Sequence, residues 1–113
     1  MIDWGKVQTA DDKATVEREA TIALTVSAVQ AHLDAEARAL GYDDIRSAVT
    51  YADEPAVPKF QAEGIAFRSW RSLCWDYCYA QLAAVDAGER EAPTAAQLVS
   101  ELPALEIDYG DET

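Results

Sequence analysis

Bases are scarce in this chain: nine lysines and arginines face 21 aspartates and glutamates, a formal charge of −12 over 113 residues. They are also scattered, whereas a phosphate-binding surface needs them clustered, because released counterions drive that affinity. The long-range field should repel nucleic acid and anionic membranes, so neither is expected as a partner. Mimicry of DNA would need carboxylates in rows at phosphate-like spacing. Most acids here instead sit at helix starts and in the C-terminal tail.

Other shortages narrow the chemistry. Cys74 and Cys78 are the only cysteines, and their spacing of four stacks them on one helix face. Placed so, they cannot staple distant parts of the chain, which fits a reducing compartment. His32 is the only histidine. With the two cysteines it would give three zinc ligands, but no second cysteine pair or histidine closes such a site. Buried thiols in an aromatic core and a boundary histidine beside Leu33 are the ordinary explanations. No metal and no cofactor are expected.

The five glycines are isolated from one another, so no phosphate-binding loop is present. Ser27, Ser47, Ser69, Ser72 and Ser100 lack the setting of a nucleophile elbow. The carboxylate pairs Asp11-Asp12, Asp43-Asp44 and Asp53-Glu54 are sequence neighbours, and neighbours do not face each other across a cleft. No catalytic residue is expected, and the chain reads as a non-enzyme. The longest apolar stretch, Leu73 to Val85, is broken by Asp76 and Gln81 and is too short to span a bilayer. The opening Met1-Ile2-Asp3-Trp4-Gly5-Lys6 has no basic region followed by an apolar run, the pattern of a signal peptide. The expected location is the cytoplasm that made the protein, or a particle assembled there.

What is present is the balance of a folded domain: half the residues are hydrophobic and about a quarter are charged. One domain over 1–113 is expected, all-α, with an extended opener (1–8), a helical body (9–103) and a mobile acidic tail (104–113). Thr9 and Asp12 resemble a capping box, and no proline or glycine follows until Gly41. Ile22, Val26, Val29, Leu33, Ala37 and Leu40 recur at steps of three and four, one apolar stripe on a helix over 10–40. Asp43-Asp44 offers a cap for a short helix over 45–51, and Pro55 and Pro58 force an extended connector. Pro58 suits the first position of a second long helix over 58–87 that ends at Gly88, antiparallel to the first. Thr94 caps a last short helix that Pro103 stops. Gly64, inside the second long helix, carries a modest cost and permits a kink or a close backbone approach.

The second long helix is apolar nearly all round. Phe60, Phe67, Trp70, Cys74, Tyr77, Cys78, Leu82 and Val85 form one wide face, and Leu73, Trp75, Tyr79, Ala80 and Ala83 fill much of the rest. Such a helix needs cover on more than one side. Phe67, Trp70, Trp75, Tyr77 and Tyr79 fall close together with Arg68 and Arg71 between them, and Trp, Tyr and Arg dominate binding hot spots. Trp70 and Trp75 lie about 140° apart around the axis, so one can face the core and the other a partner. The expected partner contact draws on Phe67, Arg68, Trp70, Arg71, Trp75 and Tyr79, with Trp4 as a further anchor. Self-association is a second way to cover the same face.

Several ordered segments resemble a known family. These are Ile2-Asp3-Trp4 with Thr9-Ala10; Gly41-Tyr42-Asp43-Asp44-Ile45 with Ala48 and Thr50-Tyr51-Ala52; Phe60-Gln61-Ala62-Glu63-Gly64, Trp70-Arg71 and Trp75; then Gly88, Pro93-Thr94 and Leu98 to Leu102-Pro103. Together they resemble small proteins encoded beside tail fibres in phages and prophages of proteobacteria, labelled tail or tail-fibre assembly proteins. The resemblance implies a non-enzymatic protein that binds a tail fibre or neighbouring tail component, as assembly chaperone or virion subunit. The acidic charge suggests an alternative, a phage-encoded inhibitor of a host defence enzyme.

Overall fold

A computed structural model describes residues 10–110. Four α-helices follow in order: α1 (Ala10–Ala39), α2 (Ile45–Thr50), α3 (Pro58–Asp86) and α4 (Ala95–Glu101), with a single 3₁₀ turn at Tyr51–Asp53 after α2. No strand occurs among the described residues. The two long helices are antiparallel, since Arg18 pairs with Asp86 at one end and His32 meets Trp70 further along. The architecture is therefore the all-α one expected. Thr9, and the contact expected of Trp4, lie outside the described residues.

Both long helices stop in the same way. Gly41 (φ 100°) and Gly88 (φ 75°) take left-handed backbone that a Cβ would oppose. Gly41 N–H donates to Arg38 O and Tyr42 N–H to Ala37 O; Gly88 N–H donates to Val85 O and Glu89 N–H to Ala84 O. Each set closes two carbonyls that the helix end leaves open. Asp44 caps α2 by accepting from Ser47 N–H at 2.9 Å, and α1 holds the same turn through Ile45 N–H to Asp34 Oδ1 at 3.1 Å. Thr94 and Gln97 form a reciprocal capping box on α4, with both bonds 3.0 Å.

The core takes Val29, Leu33 and Ala37 from α1, Ile45 and Ala48 from α2, Phe67, Trp70, Cys74 and Cys78 from α3, and Leu98 from α4. Three positions depart from the expected stripes, the first being Phe60, expected on the wide face of α3 and 39% exposed at its start. Leu40, placed on the α1 stripe, is 44% exposed because it already belongs to the turn leading into Gly41. Thr25 is buried although it lies outside the expected apolar steps, and residues 15–21 of α1, Val16 included, lie exposed beyond the core.

The acidic tail was expected to be mobile from residue 104. Over 104–110 it is instead an extended strap laid along α3. Leu105 packs on the core, the Trp70 indole N–H donates to Pro103 O at 2.7 Å, and the Tyr109 hydroxyl donates to Glu63 Oε2 at 2.6 Å. The tail's acids share the segment with apolar residues at alternate positions. Leu105 and Ile107 are half-buried while Glu106 and Asp108 are exposed.

Ion pairs join the ends of the elements. Arg18 makes a two-pronged pair with Asp86 (2.7 and 2.5 Å), and Arg90 does so with Glu101 (3.0 and 3.2 Å), which also accepts from the Tyr77 hydroxyl at 2.7 Å. The Arg18 hydrogen bond holds the Asp86 carboxyl below its ordinary range, and the Arg90 hydrogen bond does the same for Glu101. The Ser47 amide lowers Asp44. A carboxyl depressed in the folded state adds stability above its unfolded pKa and gives it up as pH falls through the folded value. Three tyrosines run the other way. Burial, followed by the bond to Glu63, raises Tyr42; the bond to Glu101 raises Tyr77; the bond to Glu63 raises Tyr109. Their contribution is full below the ordinary phenol value and is lost as pH rises toward the folded one. Thermal melting should therefore be highest between about pH 5 and 9 and fall on both sides. Asp86→Asn should lower the plateau slightly and flatten the acid limb. A melting temperature unchanged from pH 7 to pH 3 would remove these pairs from the account.

Candidate protein-binding face

α3 turns by 100° per residue, so its side chains divide into an inward arc and an outward one. Phe67, Cys74 and Cys78 point to the centre of the core, and Trp70 flanks them. The Phe67 ring sits 6.0 Å from both Tyr42 and Trp70, and the His32 ring meets Trp70 edge-on at 5.6 Å. Of the residues expected at a partner contact, Phe67 and Trp70 are thus core side chains, with no surface to offer. Trp70 is fixed further by its bond to Pro103 O.

Tyr79 falls on the outward side, and Trp75 stands at its edge, half-buried with one side packed against the core. Their rings stack 5.8 Å apart with planes inclined by 25°, and Tyr79 is 58% exposed while Trp75 is half-buried. Arg71, half-buried one turn before Trp75, lines with it a shallow depression that Gln30, Asp34, Asp44, Ile45 and Arg46 complete. Arg71 forms no ion pair among the described residues, and Arg68 reaches only the exposed Asp53, at 3.4 Å. The structure therefore brings together Arg71, Trp75 and Tyr79 and separates them from Phe67 and Trp70.

Sequence reasoning counted Leu73 among the apolar residues needing cover but named neither it nor Ile65 for the partner contact. Leu73 is 56% exposed and Ile65 46%, and both face the strap over 104–110. The Leu105, Ile107 alternation was the signal that the strap packs; the acids around it drew the reading toward a solvated tail.

Several groups capable of chemistry are held within the fold. Burial pushes the Cys74 thiol up to about 11 and raises Cys78 in the same direction, which keeps both protonated and unreactive. Among the described residues no group of three His, Cys, Asp or Glu side chains could hold a metal ion. Glu63 is a buried carboxylate, but the hydroxyls of Tyr42 and Tyr109 satisfy its two oxygens, each at 2.6 Å. Asp44 caps a helix, and Glu54 accepts from Ala56 N–H at 2.9 Å within its own loop. No described helix is long and apolar enough to cross a membrane.

Comparison with protein families, with curated proteins and with solved structures gives no match.

Proposed function

We propose that this chain is a non-enzymatic binding protein of a phage tail, which grips a tail fibre or a neighbouring tail component through the outward arc of α3. The observation that carries the binding reading is the Trp75–Tyr79 stack with Arg71 beside it. Two rings held in an offset stack offer a large, rigid contact at little entropic cost, and a planar guanidinium next to Trp75 suits a carboxylate on the partner. The tail assignment rests on the ordered segments from Ile2 to Pro103 that resemble tail-fibre-associated proteins. On that reading the protein acts in the host cytoplasm during assembly, as a chaperone, or remains in the tail as a virion subunit.

The test is co-expression with the neighbouring tail and fibre proteins, with affinity and thermal melting measured on single variants. Tyr79→Ala and Trp75→Ala should each weaken binding by about 2 kcal/mol or more. Tyr79→Ala, the more exposed of the two, should change stability by no more than about 0.5 kcal/mol. Mass spectrometry of purified virions separates the two roles. A stoichiometric band marks a subunit, and absence together with a fibre-assembly defect marks a chaperone. Failure of the chain to bind any tail component would sink the tail assignment.

A further inference from the structure

Between α3 and the strap runs an open groove of about 470 Å³. Its α3 side is mostly apolar, with Ala62, Ile65, Ala66 and Leu73 interrupted by the polar but uncharged Gln61 and Ser69. Its far wall carries Glu106 and Asp108, both exposed, and no base lines it anywhere. The wall is fixed before anything binds. The Trp70 indole holds its start at Pro103, Leu105 anchors it in the core, and the Tyr109 hydroxyl ties its end to Glu63.

We propose that this groove binds an amphipathic segment of another protein, apolar on the side that meets Ile65, Ala66 and Leu73 and basic along the edge that meets Glu106 and Asp108. The inference deepens the binding role proposed above and rests on it, but it names the half of the α3 arc beside the strap, away from Trp75 and Tyr79, and the partner's chemistry. Charge selects the occupant. The acids stand on one side only, so a segment bearing lysine or arginine along one edge matches both walls at once, and the chain's charge of −12 steers such a segment inward. A second copy of this chain would bring another acidic rim against the first. The small side chains of Ala62 and Ala66 leave room for bulky apolar groups from the occupant, and Ile65 and Leu73 bracket that space.

The experiment uses the full chain, isotopically labelled, and three synthetic peptides of equal length: leucine–lysine amphipathic, leucine–glutamate amphipathic, and serine–lysine. The leucine–lysine peptide should bind and shift the amide signals of Ile65, Ala66, Leu73 and Glu106 to Asp108. The leucine–glutamate peptide should not bind, and the serine–lysine peptide should bind at least about ten-fold more weakly. Leu73→Lys, and the double change Glu106→Lys with Asp108→Lys, should each reduce leucine–lysine binding about ten-fold. These positions are exposed, and a melting curve confirms that the variants fold. Trp75→Ala should leave peptide binding unchanged. Equal binding of the two lysine peptides, or shifts spread along the acids of α1, would overturn the proposal. So would a dimer in sedimentation that Leu73→Lys abolishes, since the groove would then cover itself. Loss of tail-protein binding in Trp75→Ala with peptide binding intact separates the two surfaces. Failure of the peptide with tail binding kept overturns the groove alone.

Discussion

Alanine at position 64 should cost about 3 kcal/mol of folding stability, although alanine is the better helix former. Gly64 is buried in α3 where the chain from α2 into the 3₁₀ turn crosses it. A Cβ there would run into the main-chain nitrogen of Ala52, and would lie 2.7 Å from the Tyr51 carbonyl carbon and 3.0 Å from Ala48 O. All three are backbone atoms, so no side chain can swing aside. The 3₁₀ turn would have to lift off α3 and draw Ala48 and Ala52 out of the core. On propensity alone the change would gain about 1 kcal/mol. Urea unfolding therefore decides between opposite signs, and a stabilised Gly64→Ala protein would mean that the crossing is looser than described.

Position 64 also shows what a sequence yields and what it withholds. Helix ends are local chemistry, so Gly41, Asp44, Gly88 and Thr94 read directly as stops and caps and Pro58 as a first helical residue, and each acts so. A close approach depends on which distant segment crosses the glycine, and that is not written around it. The strap was hidden for the same reason. Tyr109 meets Glu63 across 46 residues of sequence, and Trp70 meets Pro103 across 33. Without those partners, a stretch bearing Glu106 and Asp108 reads as solvated. The aromatic cluster fell in between. Rotation about the helix axis put Trp70 and Trp75 on different sides, and one is indeed buried while the other is half-exposed. Which was which needed the position of α1.

That division gives a second large effect. Phe67→Ala should cost about 4 kcal/mol, against a total stability of about 5–15 kcal/mol for a domain of this kind. The Phe67 ring is fully buried where α1, α2 and α3 converge, edge-on to Tyr42 and to Trp70. Removing it empties a space that its neighbours cannot close. Trp70 is held by Pro103 O, and Tyr42 by Glu63. Phe67→Leu retains most of the volume and should cost well under half as much. The comparison with Trp75→Ala then carries the functional argument. A core ring lowers the unfolding midpoint and weakens binding only through the fraction of molecules that unfold. A contact ring weakens binding in protein that remains folded. Measured below the melting point and corrected to folded protein, Phe67→Ala should bind a partner as the parent does, while Trp75→Ala should not. If both variants lose stability and neither loses affinity, the stacked pair on α3 belongs to the core after all, and the groove beside the strap becomes the remaining surface for a partner.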